Sequence, residues 1–198
     1  MRRDVKKMRL REFLESLNEG MILIEYQPSD HPERAFLEIL TFFKEKGVTP
    51  VVVDIKDSLQ VFVQQLKLQG FKIKVDDLKV IKEGGRATVG ELLGKIDEFE
   101  DFTHHIGKYW EVYKKISSEE RKTLIILGLH KFLNQIKPDI TKIEAYFEVI
   151  GRRHLQESGR VAFLFLNIGA SSKYFRKGLE EIADCVLRVD KYQNVLVR

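Results

Sequence analysis

Short apolar runs that alternate with helical patterns constrain this chain more than any other feature. Three of the runs are almost continuous in aliphatic and aromatic residues: 21–26 (MILIEY), 123–129 (TLIILGL) and 161–167 (VAFLFLN). A strand with one face in water alternates apolar and polar residues, whereas a strand buried on both faces is apolar throughout. The runs therefore predict parallel strands that are covered on both sides, as in an α/β domain.

Four weaker runs extend the predicted sheet: 51–55 (VVVDI), 78–82 (LKVIK), 185–189 (CVLRV) and 194–197 (NVLV). Only a few residues, 190–193, separate the last two runs. So short a connection requires antiparallel strands. We therefore expect a C-terminal antiparallel hairpin at the edge of a mainly parallel sheet.

Apolar residues at helical spacing fill the segments between the runs. The predicted helices cover about 5–18, 32–46, 58–69, 97–118 and 139–157. Asp30 and Glu33 have the spacing of a capping box at the start of the second helix. The fourth helix carries an aromatic stripe with the single Trp of the chain, Trp110, which favours either a core-facing helix or a surface for a partner. With right-handed crossovers, these elements predict one domain over 1–198 with helices on both faces of the sheet.

The positive charge of the chain is concentrated at its N-terminus. The net charge is +4, yet residues 1–11 hold six basic side chains and one acid, so the remaining 187 residues carry a net charge of −1. This distribution predicts a nearly neutral domain with a basic N-terminal helix. The basic segment is either the solvated start of a packed helix or an arm for nucleic acid or a membrane surface.

The connection after the first strand is the most informative one, because open α/β sheets bind ligands beyond the carboxyl ends of their strands. Residues 20–40 read GMILIEYQPSDHPERAFLEIL. This segment resembles the start of RecA-type ATPases of the KaiC and RadA group, in which a strand leads into a phosphate loop of pattern G-x-x-x-x-G-K-[ST]. In this chain the four positions of that pattern hold Tyr26, His31, Pro32 and Glu33.

None of the four phosphate-loop residues is kept, and each replacement works against phosphate binding. Tyr26 and His31 do not freely adopt the torsions that let glycine backbones curl around phosphates. Pro32 removes a backbone donor, and Glu33 puts a negative charge where the triphosphate would lie. No Lys remains for the β- and γ-phosphates, so we expect no magnesium-ATP binding in the usual mode.

Three further positions continue the resemblance, which spans roughly 10–190. Asp57 stands after the second strand, where the KaiC group has an acidic pair that positions the attacking water. Gly128 stands where the family's metal-binding Asp ends a strand, and Asp184 keeps its usual place before a late strand. The resemblance implies a RecA-like three-layer sandwich without catalytic residues. This pattern of loss is similar to that of a small archaeal family of unknown function, which is related to KaiC and lacks the phosphate loop.

The degenerate phosphate-loop crevice is the first candidate site. Its residues are Tyr26, Gln27, Ser29, Asp30, His31 and Asn167. Asn167 ends the run 161–167, where RecA-type proteins have a polar residue that senses the γ-phosphate. Its alternative role is that of a hydrogen-bonded turn residue.

Segment 169–178 (GASSKYFRKG) is the second candidate site, because it interleaves basic and aromatic residues. Such a pattern suits single-stranded nucleic acid through phosphate pairing and base stacking. The nucleic-acid contacts predicted here and in the basic arm are Arg2, Arg3, Lys6, Lys7, Lys173, Tyr174, Arg176 and Lys177. The alternative is an ordinary surface loop that opens a helix whose Phe175 faces the core.

Other classes of chemistry find little support in the sequence. One cysteine, Cys185, excludes a disulfide scaffold, and the five histidines contain no H-x-x-x-H pair for a metal. No G-x-S-x-G elbow and no apolar run of the ~20 residues that span a bilayer occur. The N-terminus lacks a secretory apolar stretch, so we expect a cytoplasmic protein. The 32% of charged residues and the four asparagines are typical of a protein from a hot habitat.

The sequence therefore favours a non-catalytic, degenerate RecA/KaiC-like domain that acts as a binding or regulatory module of uncharacterised role. One alternative is nucleic-acid binding by the basic arm and 169–178. Another is a small-molecule or nucleotide sensor that does not hydrolyse its ligand. The expected partner is an unknown protein or a second copy of the chain in a homo-oligomer. We expect no cofactor, no metal and no membrane span.

Overall fold

The computed structural model describes residues 6–97, 102–136, 139–154, 158–192 and 194–197. Its strands are β1 (Lys6–Arg9), β2 (Gly20–Tyr26), β3 (Val51–Ile55), β4 (Lys79–Glu83), β5 (Glu91–Ile96), β6 (Thr123–Leu127), β7 (Val161–Asn167), β8 (Cys185–Val189) and β9 (Asn194–Val197). Within the described residues they form a single sheet in the order β1-β9-β8-β2-β7-β6-β3-β4-β5.

The centre of the sheet is parallel, as the apolar runs predict. Strand β2 pairs with β7 along its whole length, from Gly20 opposite Val161 to Tyr26 opposite Asn167, and with β8 on its other side. Every residue of β2 is buried. A strand in this position needs apolar side chains towards both layers of helices, which explains the unbroken run MILIEY.

The sheet lies between two layers of helices, which confirms the predicted three-layer α/β architecture. The helices are α1 (Leu10–Ser16), α2 (Pro32–Glu45), α3 (Ser58–Leu68), α4 (Phe102–Tyr113), α5 (Leu129–Ile136), α6 (Ile140–His154) and α7 (Lys173–Ile182). One core cluster joins the first three helices to one face of the sheet, and a second joins the other four to the opposite face. Because Tyr113 is fully buried in the second cluster, the aromatic stripe of α4 faces the core.

The predicted N-terminal helix over 5–18 is wrong at its start. Residues Lys6–Arg9 are extended as β1, and the helix begins only at Leu10. Strand β1 pairs antiparallel with β9, with Lys6 opposite Val197, and Met8 packs against the core. The edge of β9 thus gives these residues hydrogen-bond partners that come from the far end of the chain. Arg2 and Arg3 lie outside the described residues.

The C-terminal hairpin is confirmed, but its position at the edge of the sheet is not. Strands β8 and β9 pair antiparallel, with Leu187 opposite Val197. Strand β1 then covers the other side of β9, so β1 and β5 form the two edges. Strand β5 has no counterpart in the predicted runs because its sequence, ELLGKI, is largely exposed and mixed in polarity.

Candidate functional site

An open crevice of about 310 Å³ lies beyond the carboxyl ends of β2 and β7. The ends of two parallel strands and the starts of three helices meet there, and such edges are the usual ligand sites of α/β sheets. The crevice is lined by Tyr26, Pro28, His31, Pro32, Glu33, Ser58, Val61, Phe62, Gln65, His130, Lys131 and Asn167. Of the six residues predicted for the phosphate-loop crevice, Tyr26, His31 and Asn167 line it, whereas Gln27, Ser29 and Asp30 lie beside it on the connection to α2.

The connection from β2 to α2 is a short 3-10 turn over Pro28–Asp30. The Asp30 carboxylate accepts a hydrogen bond from the Gln27 N–H at 2.7 Å. The predicted capping box of Asp30 with Glu33 is therefore wrong, because Asp30 closes the turn before the helix and does not cap α2. His31 follows with φ 53° and ψ 56°, so a non-glycine residue takes the left-handed conformation that we expected it to avoid.

Glu33 is the buried acid of the crevice, with its side chain only 5% exposed at the start of α2. Its carboxylate lies 3.1 Å from Nδ1 of His31 and accepts a hydrogen bond from Nε2 of Gln69. A carboxylate is stabilised at a helix N-terminus by the same backbone dipoles that would hold a phosphate. Burial raises the pKa of Tyr26 above its usual range, and Glu33 adds to the shift, so the phenol stays neutral.

The opposite wall carries His130 and Lys131 from the start of α5. The Lys131 ammonium donates to the carbonyl of Lys56 at 2.8 Å, and burial lowers its pKa despite the nearby carboxylates of Asp54 and Asp57. Burial also lowers the pKa of His130 to about 4, with Lys131 contributing, so its imidazole is neutral at pH 7. The crevice thus brings the Tyr26 phenol and the neutral His130 imidazole together with the side chains of Glu33 and Lys131.

Asn167 has the geometry of a turn residue. Its side-chain oxygen accepts from the N–H groups of Gly169 at 3.0 Å and Ala170 at 3.2 Å. Its backbone carbonyl accepts from the Ser171 hydroxyl at 2.7 Å. These bonds fix the connection to α7, and they occupy the oxygen that a ligand would otherwise meet.

Asp57, which stands where the resembled family has its catalytic acid, is held by the fold. Lys82 lies with Nζ 2.6 Å from both Asp57 and the buried Asp54, and the Asp57 carboxylate also accepts from the N–H groups of Arg86 and Ala87. Burial alone would raise the pKa of Asp57, but the hydrogen bonds from Lys82 and the two amides lower it to about 2.

Gly128, which in that resemblance takes the position of a metal-binding acid, is required here by the local packing. Its φ is +84°, and an added Cβ would clash with Oγ of Ser58 and the carbonyl of Ile55. No side chain fits there without moving the start of α3. Asp184 is the third of the further positions on which the resemblance depends. It accepts a hydrogen bond from the Met21 N–H at 2.7 Å and so anchors the start of β2.

Segment 169–178 opens helix α7, and two of its basic residues pair with acids of the same chain. Arg176 forms two hydrogen bonds to the fully buried Glu25, of 2.5 and 2.8 Å. Lys177 lies 2.5 Å from Glu180. Lys173 and Tyr174 remain for a ligand, and Tyr174 is exposed. Of the predicted arm contacts, Lys6 and Lys7 are exposed on β1.

The described part of the chain contains no group of three or more His, Cys, Asp or Glu side chains that could hold a metal ion. Cys185 is half-buried, and burial together with Asp184 raises the pKa of its thiol. None of the helices among the described residues combines the length and the apolarity needed to cross a membrane.

Sequence reasoning missed the α3 and α5 sides of the crevice. Phe62 packs in the core on the apolar face of α3 and also lines the crevice, which helical spacing alone does not reveal. His130 and Lys131 follow the carboxyl end of β6 after Gly128. The rule that selected the connection after β2 could have selected this connection as well.

Comparison with solved structures supports the fold. A protein from Pyrococcus horikoshii OT3, solved in a structural study, superposes with a TM-score of 0.77 at 22% sequence identity, over 96% of this chain and 91% of that chain. At this identity the likeness concerns the fold alone. No curated protein matches the chain.

The comparison with protein-family models covers almost the whole chain. One model matches residues 12–198, from the first turn of α1 through β9 to the C-terminus. The match includes every residue that lines the crevice. The chain therefore belongs to the DUF257 family, described as Pyrococcus proteins of unknown function.

Proposed function

We propose that this chain is a non-catalytic module, related to the RecA/KaiC-like ATPases, that binds a small molecule in the crevice at the carboxyl edge of its sheet. The observation that carries the proposal is the crevice itself, an open space of about 310 Å³ at the usual ligand edge of an α/β sheet. The module acts by binding, as a sensor or regulator.

Four positions of the crevice region oppose ATP hydrolysis. Glu33 places a buried carboxylate at the start of α2, Pro32 lacks an N–H, and Gly128 has no room for an acidic side chain. Asp57 is held by Lys82 and two backbone amides, so it has little freedom to orient a water molecule. A triphosphate and its magnesium ion would meet a negative charge and no coordinating acid at these positions.

The walls of the crevice favour a planar ring with at most one negative charge. Tyr26 and Phe62 lie with their ring centroids 6.3 Å apart and supply an aromatic wall. Lys131 supplies one cation, and Tyr26 and His130 supply neutral polar groups. Because the Glu33 carboxylate repels a triphosphate group, a nucleoside or an aromatic monocarboxylate suits the crevice better than a nucleoside triphosphate.

A thermal-shift titration tests the proposal with adenosine, AMP, ATP and benzoate, each with and without magnesium. A ligand at a hundred times its Kd stabilises the folded state by about 2.7 kcal/mol, which corresponds to roughly 5–10 °C for a chain of this size. We expect adenosine or benzoate to raise the melting temperature, ATP to raise it less, and magnesium to change neither result.

Two matched variants on α3 assign the effect to the crevice. Val61 lines the crevice and is exposed, so Val61→Trp should fill the space and abolish the shift. Leu68→Trp introduces the same side chain at an exposed position of α3 away from the crevice, and it should keep the shift. Equal shifts in both variants would contradict the proposal, as would magnesium-dependent ATP hydrolysis that Glu33→Ala alters.

A further inference from the structure

We propose that a second site, separate from the crevice, binds single-stranded nucleic acid. Here the start of α1, the exposed side of α2 and the β8–β9 turn enclose an open groove of about 600 Å³. We call it the basic groove and define it by Arg9, Arg11, Arg34, Phe71, Lys191 and Tyr192. It shares no lining residue with the crevice.

Positive charge dominates the lining of the basic groove. Four of its residues are basic, and Glu38 is the one acid among its lining residues. Arg11 pairs with Glu45, and the charges of both Arg11 and Arg9 act on the Glu38 carboxylate. Lys191 forms no ion pair with the residues that the structure describes, so it is the cation most available for phosphate groups, whose contacts supply most of the affinity for nucleic acid.

Exposed aromatic rings accompany the cations. Tyr192 is 72% exposed and Phe71 is 40% exposed, although large aromatic side chains are usually covered. The Lys191 ammonium lies 5.0 Å from the centroid of the Tyr192 ring, and the Arg34 guanidinium lies 5.6 Å from that of Phe71. Each ring thus stands beside a cation, which is the arrangement that holds a base by stacking and its phosphate by charge.

Hydrogen bonds brace the described residues of the groove. Arg34 donates to the Gln69 side chain at 2.5 Å and to the Lys191 carbonyl at 3.5 Å, so it links α2 to the end of α3 and to Lys191. The Asp190 carboxylate accepts from the Tyr192 N–H at 2.8 Å and from the Asn194 N–H at 3.0 Å. These two bonds tie the backbone at Tyr192 and at Asn194 to Asp190.

Strand β1 extends the positive surface. Arg9 lies opposite Asn194 in the β1–β9 ladder, next to the turn. Lys6 and Lys7 are exposed on the same strand, and Lys7 is close enough to contribute to the lowered pKa of Asp190. The pairing of β1 with β9 thus brings the basic N-terminal segment to the aromatic residues of the turn.

The combination of cations and exposed aromatic rings favours single-stranded nucleic acid over other polyanions. A duplex hides its base faces inside the stack, and an acidic peptide has no rings of its own that require stacking platforms. A free mononucleotide has one phosphate group, whereas the cations here are spread over β1, α1, α2 and the turn. A flexible chain of exposed bases and spaced phosphates matches this distribution.

Fluorescence anisotropy with a labelled oligo-dT of about a dozen nucleotides tests the proposal on the full chain. The chain offers a matched pair, because the dipeptide Lys-Tyr occurs in the groove at Lys191–Tyr192 and on α7 at Lys173–Tyr174. Both tyrosines are exposed. We expect Lys191→Ala with Tyr192→Ala to weaken binding about tenfold or more. The same double change at Lys173–Tyr174, the surface that the sequence favoured, should leave affinity within about twofold.

Competitors and salt separate this proposal from its rivals. Unlabelled oligo-dT should displace the probe, AMP and duplex DNA should not, and affinity should fall steeply between about 50 and 200 mM salt. If poly-glutamate displaced the probe as well as oligo-dT does, the binding would be a nonspecific attraction of polyanions and the proposal would be overturned. If both double variants lost the same amount of affinity, the assignment to the basic groove would be overturned. Absence of binding near about 150 mM salt would also overturn it. Val61→Trp, which fills the crevice, should bind oligo-dT normally, so the two proposals fail independently.

Discussion

Glu25 lies near the carboxyl end of β2 and is fully buried in a largely apolar strand. Arg176 reaches it from α7, 151 positions later in the chain, and also lies 3.0 Å from Glu180. A buried carboxylate needs such a partner because the interior solvates charge poorly. Segment 169–178, in which the sequence pattern predicts nucleic-acid contacts, thus uses Arg176 to balance the charge of the buried Glu25.

Replacing Arg176 should therefore affect stability. We expect Arg176→Ala to lower the free energy of unfolding by about 3–5 kcal/mol, because it leaves Glu25 buried without its cation. Chemical denaturation followed by circular dichroism measures this loss. Lys173→Ala, on the same helix, should change stability by no more than about 0.5 kcal/mol. An unchanged denaturation midpoint in Arg176→Ala would show that Glu25 does not depend on Arg176.

Asp57 gives the stability of the protein a dependence on pH. Its folded pKa of about 2 lies below its ordinary value of 3.8, so the folded state binds this proton less readily than the unfolded state. The contribution of the carboxylate is fully present above the unfolded pKa and is lost as pH falls through the folded one.

Asp57→Asn isolates that contribution. Asn tolerates the left-handed backbone of this position, where φ is 61°, but it offers Lys82 no charge. The unfolding free energy of the wild type should exceed that of the variant at neutral pH, and the difference should shrink between about pH 4 and pH 2. Denaturation curves at several pH values test this, and a difference independent of pH would contradict it.

Among the secondary-structure elements, β1 departs most from its sequence pattern. Four residues with three basic side chains form a strand at the edge of the sheet. Lysines on an edge strand protect it from pairing with other chains. The helical pattern that begins at Leu10 is genuine, but it does not extend into the basic segment because β9 offers that segment backbone partners.

Removing residues 1–9 should therefore do more than remove charge. The deletion exposes the unprotected edge of β9, so we expect the melting temperature to fall by roughly 4–8 °C, the equivalent of about 2 kcal/mol, and the chain to self-associate. Thermal denaturation and size-exclusion chromatography measure the two effects.

Lys6→Thr with Lys7→Thr is the matched control for the deletion. Threonine keeps strand propensity while it removes the charge, so the melting temperature should change little. A deletion that melts like this variant would show that β1 adds nothing to the stability of the sheet.

At the scale of the whole molecule, the sequence predicts the layers better than it predicts the sites. Unbroken apolar runs such as 161–167 become central parallel strands, and helical spacing in segments such as 32–46 becomes the covering helices. Both patterns are local, because each reflects only which faces of a single strand or helix are buried by the rest of the protein. Strand β5 escaped prediction since its exposed edge position imposes no strict pattern.

The sequence predicts only part of the crevice, because the lining residues come from segments that are distant from one another in the chain. The rule that ligands bind at carboxyl ends of strands identifies Tyr26, His31 and Asn167 from sequence order alone. His130 and Lys131 join them because β6 lies beside β7 in the sheet, and no local pattern encodes that order of strands. Sequence analysis therefore finds one wall of the crevice and misses the other two.

The sequence by itself determined the α/β class, the C-terminal hairpin and the absence of a phosphate-loop motif between β2 and α2, since each is written in neighbouring residues. Tertiary structure decided what the charged residues do. It joined Arg176 to Glu25 in the core, and it gathered Arg9, Arg34 and Lys191 into one groove. The physical reason is that periodicity and turn chemistry act over a few residues, whereas charge pairing depends on which distant segments the packing of the sheet brings together.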